Sequence, residues 1–169
     1  AELNTLDGIT ASTSELNHVD GVTSSIQTQL DAKLGSVDGT LSSYTGDVDI
    51  DGELVVTSYN ETFAAVTSSS NATTIDCEAG NVFSHTLSEN TTFTFSNQPA
   101  SGTAYGFTLK IVQDASASGY TVTWPAAVDW PSGTAPTLTS TASAVDQFVF
   151  YTHDGGTTWY GFLAASNLE

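Results

Sequence analysis

Residues 2–34 constrain this chain more than any other stretch. They hold a tandem repeat, Glu2-Leu3-Asn4-Thr5-Leu6-Asp7-Gly8-Ile9-Thr10 and then Glu15-Leu16-Asn17-His18-Val19-Asp20-Gly21-Val22-Thr23, and a third segment, Ser24 to Leu34, continues it. Apolar residues fall at Leu3, Leu6, Ile9, Leu16, Val19, Val22, Ile26, Leu30, Leu34 and Val37. Within each unit their steps are three or four, which draws one narrow apolar stripe. A single thin chain cannot bury such a stripe, and repeats of this kind need neighbours to cover it. The pattern implies a parallel bundle of identical chains with the stripe inward.

Each unit carries its own punctuation. Ser12 with Glu15, and Ser24 with Gln27, have capping-box spacing. Asp7-Gly8 and Asp20-Gly21 are turn dipeptides. A unit therefore reads as one helical turn and then a reverse turn. The run Ile26 to Leu34 has good helix formers and no breaker before Gly35, which predicts the longest helix there. Because Ala1 falls inside a repeat unit, the chain reads as a piece of something longer.

Charge narrows the partners. Nineteen acidic residues stand against Lys33 and Lys110, with no Arg, for a net charge of −17. Gripping a phosphate backbone takes clustered Lys and Arg, so nucleic acid is not an expected partner. An anionic membrane surface is disfavoured in the same way. No apolar run approaches the ~20 residues of a membrane span, so no insertion is expected. Cys77, the lone cysteine, lies in the alternating run Thr74 to Glu78 and reads as a half-buried strand thiol.

From Gly35 to Thr45 Gly, Ser and Thr dominate. Asp47 to Val56 then alternates with period two around Asp51-Gly52, which predicts a short β neck. Asp47-x-Asp49-x-Asp51-Gly52 matches the first half of an EF-hand loop, but position twelve is Ser58 where Glu is needed. The three Asp read as one solvated face. Beyond Tyr59 the sequence predicts eight strands, at 63–68, 73–77, 81–87, 91–95, 105–113, 120–124, 145–152 and 157–164, separated by Ser-, Asn- and Gly-rich turns. Asn60, Asn71 and Asn90, each in an Asn-x-Thr triplet, belong to that turn-then-strand composition.

The expected fold is mainly β: a C-terminal antiparallel β-sandwich or jelly-roll-like domain on a short trimeric stalk with small helical repeat units. The stalk is placed at 1–45, the β neck at 46–58 and the sandwich at 59–169. Most strands alternate apolar with Thr, so one face is buried. Phe148-Val149-Phe150-Tyr151 and Trp159-Tyr160-Gly161-Phe162-Leu163 do not alternate. Their second face would be bare in one sandwich, and a neighbouring subunit is the expected cover.

The repeat units with Ile26-Gln27-Thr28-Gln29-Leu30-Asp31-Ala32-Lys33 resemble repeats of bacteriophage tail-fibre proteins, especially marine ones that infect cyanobacteria. Gly102 to Lys110, Thr121 to Pro125, Trp130-Pro131, Thr134 to Leu138 and Asp154 to Phe162 look like the C-terminal domain of such fibres. The resemblance covers nearly the whole chain. It implies a homotrimeric virion tail fibre on the extracellular side, with its C-terminus distal from the particle. The implied partners are the N-terminal remainder of the fibre, other tail proteins and a host cell-surface glycan or lipopolysaccharide. The expected function is structural and adhesive. The alternatives are a surface-glycan depolymerase, which a long right-handed β-helix would favour, and a spacer or cap that binds no receptor.

No catalytic set and no cofactor emerges from the residues. Thr152 to Trp159 is similar to the Asp-box of sialidase propellers. Such a box is a hairpin device in which the Asp (Asp154) accepts backbone N–H bonds, a Gly (Gly156) takes positive φ and the Trp (Trp159) packs beneath. A propeller needs several copies, and a sialidase needs Arg. The His residues are scattered in sequence, so no metal is assigned; one His per chain on a threefold axis is the alternative. His18 reads as exposed and His85 as a hydrogen-bonded core residue. The receptor contact is placed on the Pro- and Gly-rich run after Trp124, at Asp129, Trp130 and Pro131, with Tyr120 and His153 as further candidates. In this run Trp130 either stacks on a sugar or fills a seam between subunits.

Overall fold

The computed structural model describes residues 10, 12–18, 22, 25, 26, 28, 29 and 52–169. Contacts divide the chain into Ala1–Leu54 and Val55–Glu169. In the first unit the helix α1 (Thr13–Asn17) is set by the expected cap. The Ser12 hydroxyl accepts from the Glu15 N–H at 3.3 Å, while Glu15 Oε2 accepts from the Ser12 N–H at 2.7 Å and the Ser12 hydroxyl at 2.6 Å. Ser25 caps a second helical turn, accepting from the Thr28 N–H at 3.2 Å. Ser24 and Gln27, the pair expected to do this, lie outside the described residues, as do 46–51 of the expected neck, 27 and 30–34 of the expected helix, and most of the apolar stripe. The stripe's described members Val22 and Ile26 are exposed, and so is His18. The rest of the expected neck, 52–58, is described and forms no strand, so its second strand is corrected.

The second unit is almost entirely β. Its strands are β1 (Phe63–Val66), β2 (Ala72–Asp76), β3 (Val82–Thr86), β4 (Thr91–Ser96), β5 (Tyr105–Val112), β6 (Val122–Thr123), β7 (Val128–Asp129), β8 (Val145–Thr152) and β9 (Trp159–Leu168). They form a six-stranded sheet ordered β1-β3-β5-β8-β9-β7 and a three-stranded sheet ordered β2-β4-β6. All eight expected strands are present. The ninth, β7, lies in the Pro-rich run after Trp124, and it is an edge strand, where such a run is tolerated.

The antiparallel expectation is corrected. Five of the seven strand pairs are parallel, and only β5–β8 and β8–β9 are antiparallel. From β1 to β6 each turn carries the chain into the opposite sheet, so a strand next lies beside the one two before it. Parallel neighbours need a crossover, and here the crossover is a strand of the facing sheet. The result is a short two-sided coil that the β8–β9 hairpin extends on the larger sheet. Period-two alternation is the same for either strand direction, so the sequence pattern does not distinguish them.

The two sheets share one core. Ile75 and Phe93 from the smaller sheet meet Phe83, Leu109, Phe148 and Phe150 from the larger, all at most 1% exposed. His85 is buried there and is the hydrogen-bonded core residue its strand position suggested. Its Nδ1 lies 3.0 Å from the Val66 carbonyl oxygen, which can only accept, so Nδ1 carries the proton. Nε2 faces the Thr91 hydroxyl at 3.3 Å. Cys77 is more buried than its strand reading implied, at 7% exposure, and sits in the turn after β2. Burial pushes its thiol up to about 11, against a hydrogen bond with Tyr105 that lowers it. The thiol is therefore protonated and unreactive at neutral pH.

Asp146, 3% exposed at the start of β8, fastens the loop before that strand. Its carboxylate accepts from the Thr139 N–H at 2.6 Å, the Thr139 hydroxyl at 2.8 Å and the Asn167 N–H at 3.0 Å. Asp146→Ala leaves these donors without their acceptor, and the expected loss is roughly 1–3 kcal/mol. It is read as a lower urea midpoint with an unchanged slope. An unchanged midpoint would mean that water replaces the carboxylate without cost.

Candidate functional site

The turn between β8 and β9 sets the site. Thr152 is fully buried, and its hydroxyl donates to Asp154 Oδ1 at 3.0 Å and accepts from the Gly156 N–H at 3.2 Å. The same Asp154 oxygen accepts from the Thr158 N–H at 3.0 Å. The Thr157 hydroxyl donates to the Asp154 carbonyl at 3.1 Å. Gly156 has φ +76, and a Cβ there would meet Gln98 Cγ at 2.7 Å, so both conformation and space demand glycine. Trp159, 1% exposed, packs against Phe95 with ring centroids 5.0 Å apart. The geometry has each part of the hairpin device read from the sequence.

This turn fixes which way the hairpin's side chains point. On β8, Asp146, Phe148, Phe150 and Thr152 face inward, so Val149 and Tyr151 face outward. On β9, Trp159 and Gly161 face inward, and Tyr160 and Phe162 outward. Tyr151 pairs with Tyr160, and Tyr160 with Asp129 of β7, all three exposed. His153 joins the row. Its ring centroid is 5.6 Å from that of Tyr151, at 24° between planes, and 6.2 Å from that of Tyr160, at 5°. Tyr151 and Tyr160 are 6.1 Å apart at 27°. Since all three distances lie between 5.6 and 6.2 Å, the ring centroids form a triangle, not a column, and the planes are near-parallel. The Gly102 N–H donates to the His153 carbonyl at 3.0 Å and holds its backbone in place.

The candidate residues separate. Asp129 and His153 come to one patch, with Tyr160 between them. Trp130 turns the other way: it packs on Trp124 at 5.3 Å, Phe150 at 5.7 Å and Phe148 at 6.0 Å. A Cβ on Gly161 would stand 2.9 Å from its ring. Trp130 is half-buried and packs within the subunit. Pro131 is exposed and opens a 3-10 turn, Pro131–Gly133. Tyr120 belongs elsewhere, lining a cleft of about 310 Å³ with Trp124, Gln113 and Leu138. A second cleft of about 440 Å³ runs along β4 between Phe95, Gln98, Trp124 and Pro125. Among the described residues no group of three or more His, Cys, Asp or Glu is placed to hold a metal ion, and no helix is long and apolar enough to cross a membrane.

Tyr151 and Tyr160 were not singled out as site residues from the sequence. The signal for them is phase: Phe148, Phe150 and Trp159 occupy the inward register, which leaves Tyr151 and Tyr160 on the other face. No family model, no curated protein and no solved structure matches the chain.

The Thr158 N–H is the main force holding the Asp154 carboxyl below the usual carboxylate range; desolvation opposes it, and the Thr152 and Thr158 hydroxyls and His153 add to it. A lowered folded-state value means that the ionised form stabilises the fold. That stabilisation is complete above the unfolded value, about 4, and is lost as pH falls through the lowered one. Asp154→Asn should therefore melt below the parent protein at pH 7, and the gap should narrow as pH falls below about 4. Thermal melts at several pH values check this. A gap that does not change with pH would show that the ionised carboxylate is not what matters.

Proposed function

We propose that this chain is the distal part of a homotrimeric bacteriophage tail fibre, and that its C-terminal unit contacts the host cell surface. One observation carries the reading: the chain dresses its two outer sheet faces differently. The smaller sheet shows the solvent Thr74, Thr92, Thr94 and Thr123, a polar face with no apolar excess. The β8–β9 hairpin shows it Tyr151, Tyr160 and Phe162, all 37–49% exposed. A chain that makes a Thr face on one sheet and an aromatic face on the other has an interaction surface on the second. Where β7 stops after Asp129, β9 continues as an edge strand paired only with β8, with Phe162, Leu163 and Leu168 exposed, and a neighbouring subunit is the natural cover. The exposed Val22 and Ile26 of the stalk stripe support the same assembly.

The parallel coil of β1 to β6 favours the rival reading, a surface-glycan depolymerase, but the coil is short and neither cleft is lined by a charged side chain. New reducing ends after incubation with host polysaccharide would support that rival. For the fibre, light scattering should give three times 17.6 kDa, or 52.8 kDa. A mass of 17.6 kDa contradicts the assembly. Binding of the intact protein to marine cyanobacterial cells tests host contact. A trimer that binds none of the strains that the parent phage adsorbs to would leave a spacer or cap.

A further inference from the structure

We propose that Tyr151, His153 and Tyr160, with Asp129 at their edge, form a binding platform for a neutral pyranose unit of a surface glycan. The proposal rests on the host-contact reading above and gives it a site and a ligand class. The three residues are exposed, and their rings are near-parallel and mutually 5.6–6.2 Å apart, so together they make an exposed aromatic cluster. A pyranose has an apolar C–H face and a rim of hydroxyls. Aromatic faces bury the first, and the Tyr hydroxyls, the imidazole and the Asp129 carboxylate can meet the second.

The support is rigid, which lowers the ordering cost of binding. Tyr151 and Tyr160 are fixed by strand pairing on both sides, Tyr151 between Gly106 and Tyr160, and Tyr160 between Tyr151 and Asp129. His153 is held by its carbonyl bond and by the Asp154 turn that follows it. Charge selects among glycans. The chain carries −17 without Arg, and the charged group beside the rings is a carboxylate. Phosphate- or carboxylate-bearing polymers are repelled, and neutral ones are not.

Affinity electrophoresis of the intact chain through gels containing dextran, mannan, galactan or polygalacturonate tests this. At least one of the three neutral polymers should slow the protein, and polygalacturonate should not. Tyr160→Ala should weaken that retardation about tenfold, Tyr160→Phe should keep most of it, and Asp129→Asn should weaken it less than Tyr160→Ala does. Thr123→Ala, on the opposite sheet, should leave it unchanged. Equal retardation of Tyr160→Ala, at an unchanged melting temperature, overturns the platform. So does a parent protein that no neutral polymer slows, or one that polygalacturonate slows equally. If Tyr160→Ala instead lowers the oligomeric mass, the rings are a subunit seam and the platform is wrong. The mass and cell-binding measurements on the parent protein judge the fibre reading separately, whatever the gels give.

Discussion

The structure depends on the contacts of Phe150. Its ring stacks on Phe107 of the neighbouring strand at 4.9 Å and meets Phe95 of the facing sheet at 5.3 Å. It also touches Trp124 at 5.2 Å and Trp130 at 5.7 Å. These five rings come from β5, β8, β4 and the segments on either side of β7, so one side chain joins both sheets and the connection between β6 and β8. Aromatic pairs of this kind contribute about 0.5–1.5 kcal/mol each beyond their area. A coil of three parallel turns has little core of its own. Its sheets have somewhere to bury Phe95, Phe107 and Trp124 only because β8 comes back between β5 and β9.

That inward commitment has an outward consequence. In a strand successive side chains alternate faces, so placing Phe148, Phe150 and Trp159 in the core puts Val149, Tyr151, Tyr160 and Phe162 outside. Nothing about the core requires these to be aromatic or aliphatic. Thr occupies the equivalent outward positions of β4 and β6, at Thr92, Thr94 and Thr123. The outer face of the hairpin is thus separable from the fold, and it is where function is proposed. The turn at Asp154 serves both sides, since it carries the buried Thr152 and Trp159 and presents His153 beside the two tyrosines.

Much of this was legible in the sequence. Strand positions followed from alternation and turn residues, and the Asp154 device followed from one octapeptide. Strand direction did not, because Phe93 and Phe95 alternate with Thr92 and Thr94 identically in a parallel or an antiparallel pair. Val128-Asp129 was hidden by the prolines around it. The packing of Trp130 rests on Gly161, which is distant in sequence: only a residue without a Cβ lets that ring lie so close to β9. The aromatic triangle was hidden because Tyr151 and His153 lie close in sequence but Tyr160 arrives from the next strand. Cross-strand register brings the three together, and no local pattern encodes it.

Native-state hydrogen exchange on the intact protein tests the central claim most directly, that the β8–β9 hairpin and the parallel coil are one cooperative unit held by the Phe150 cluster. The amides of β5 and β8 should open only with global unfolding and share one free energy, with β1 and the C-terminal edge of β9 opening earlier. If β8 exchanges through a cheaper local opening while β3, β4 and β5 stay protected, the hairpin is an appendage and the account is contradicted.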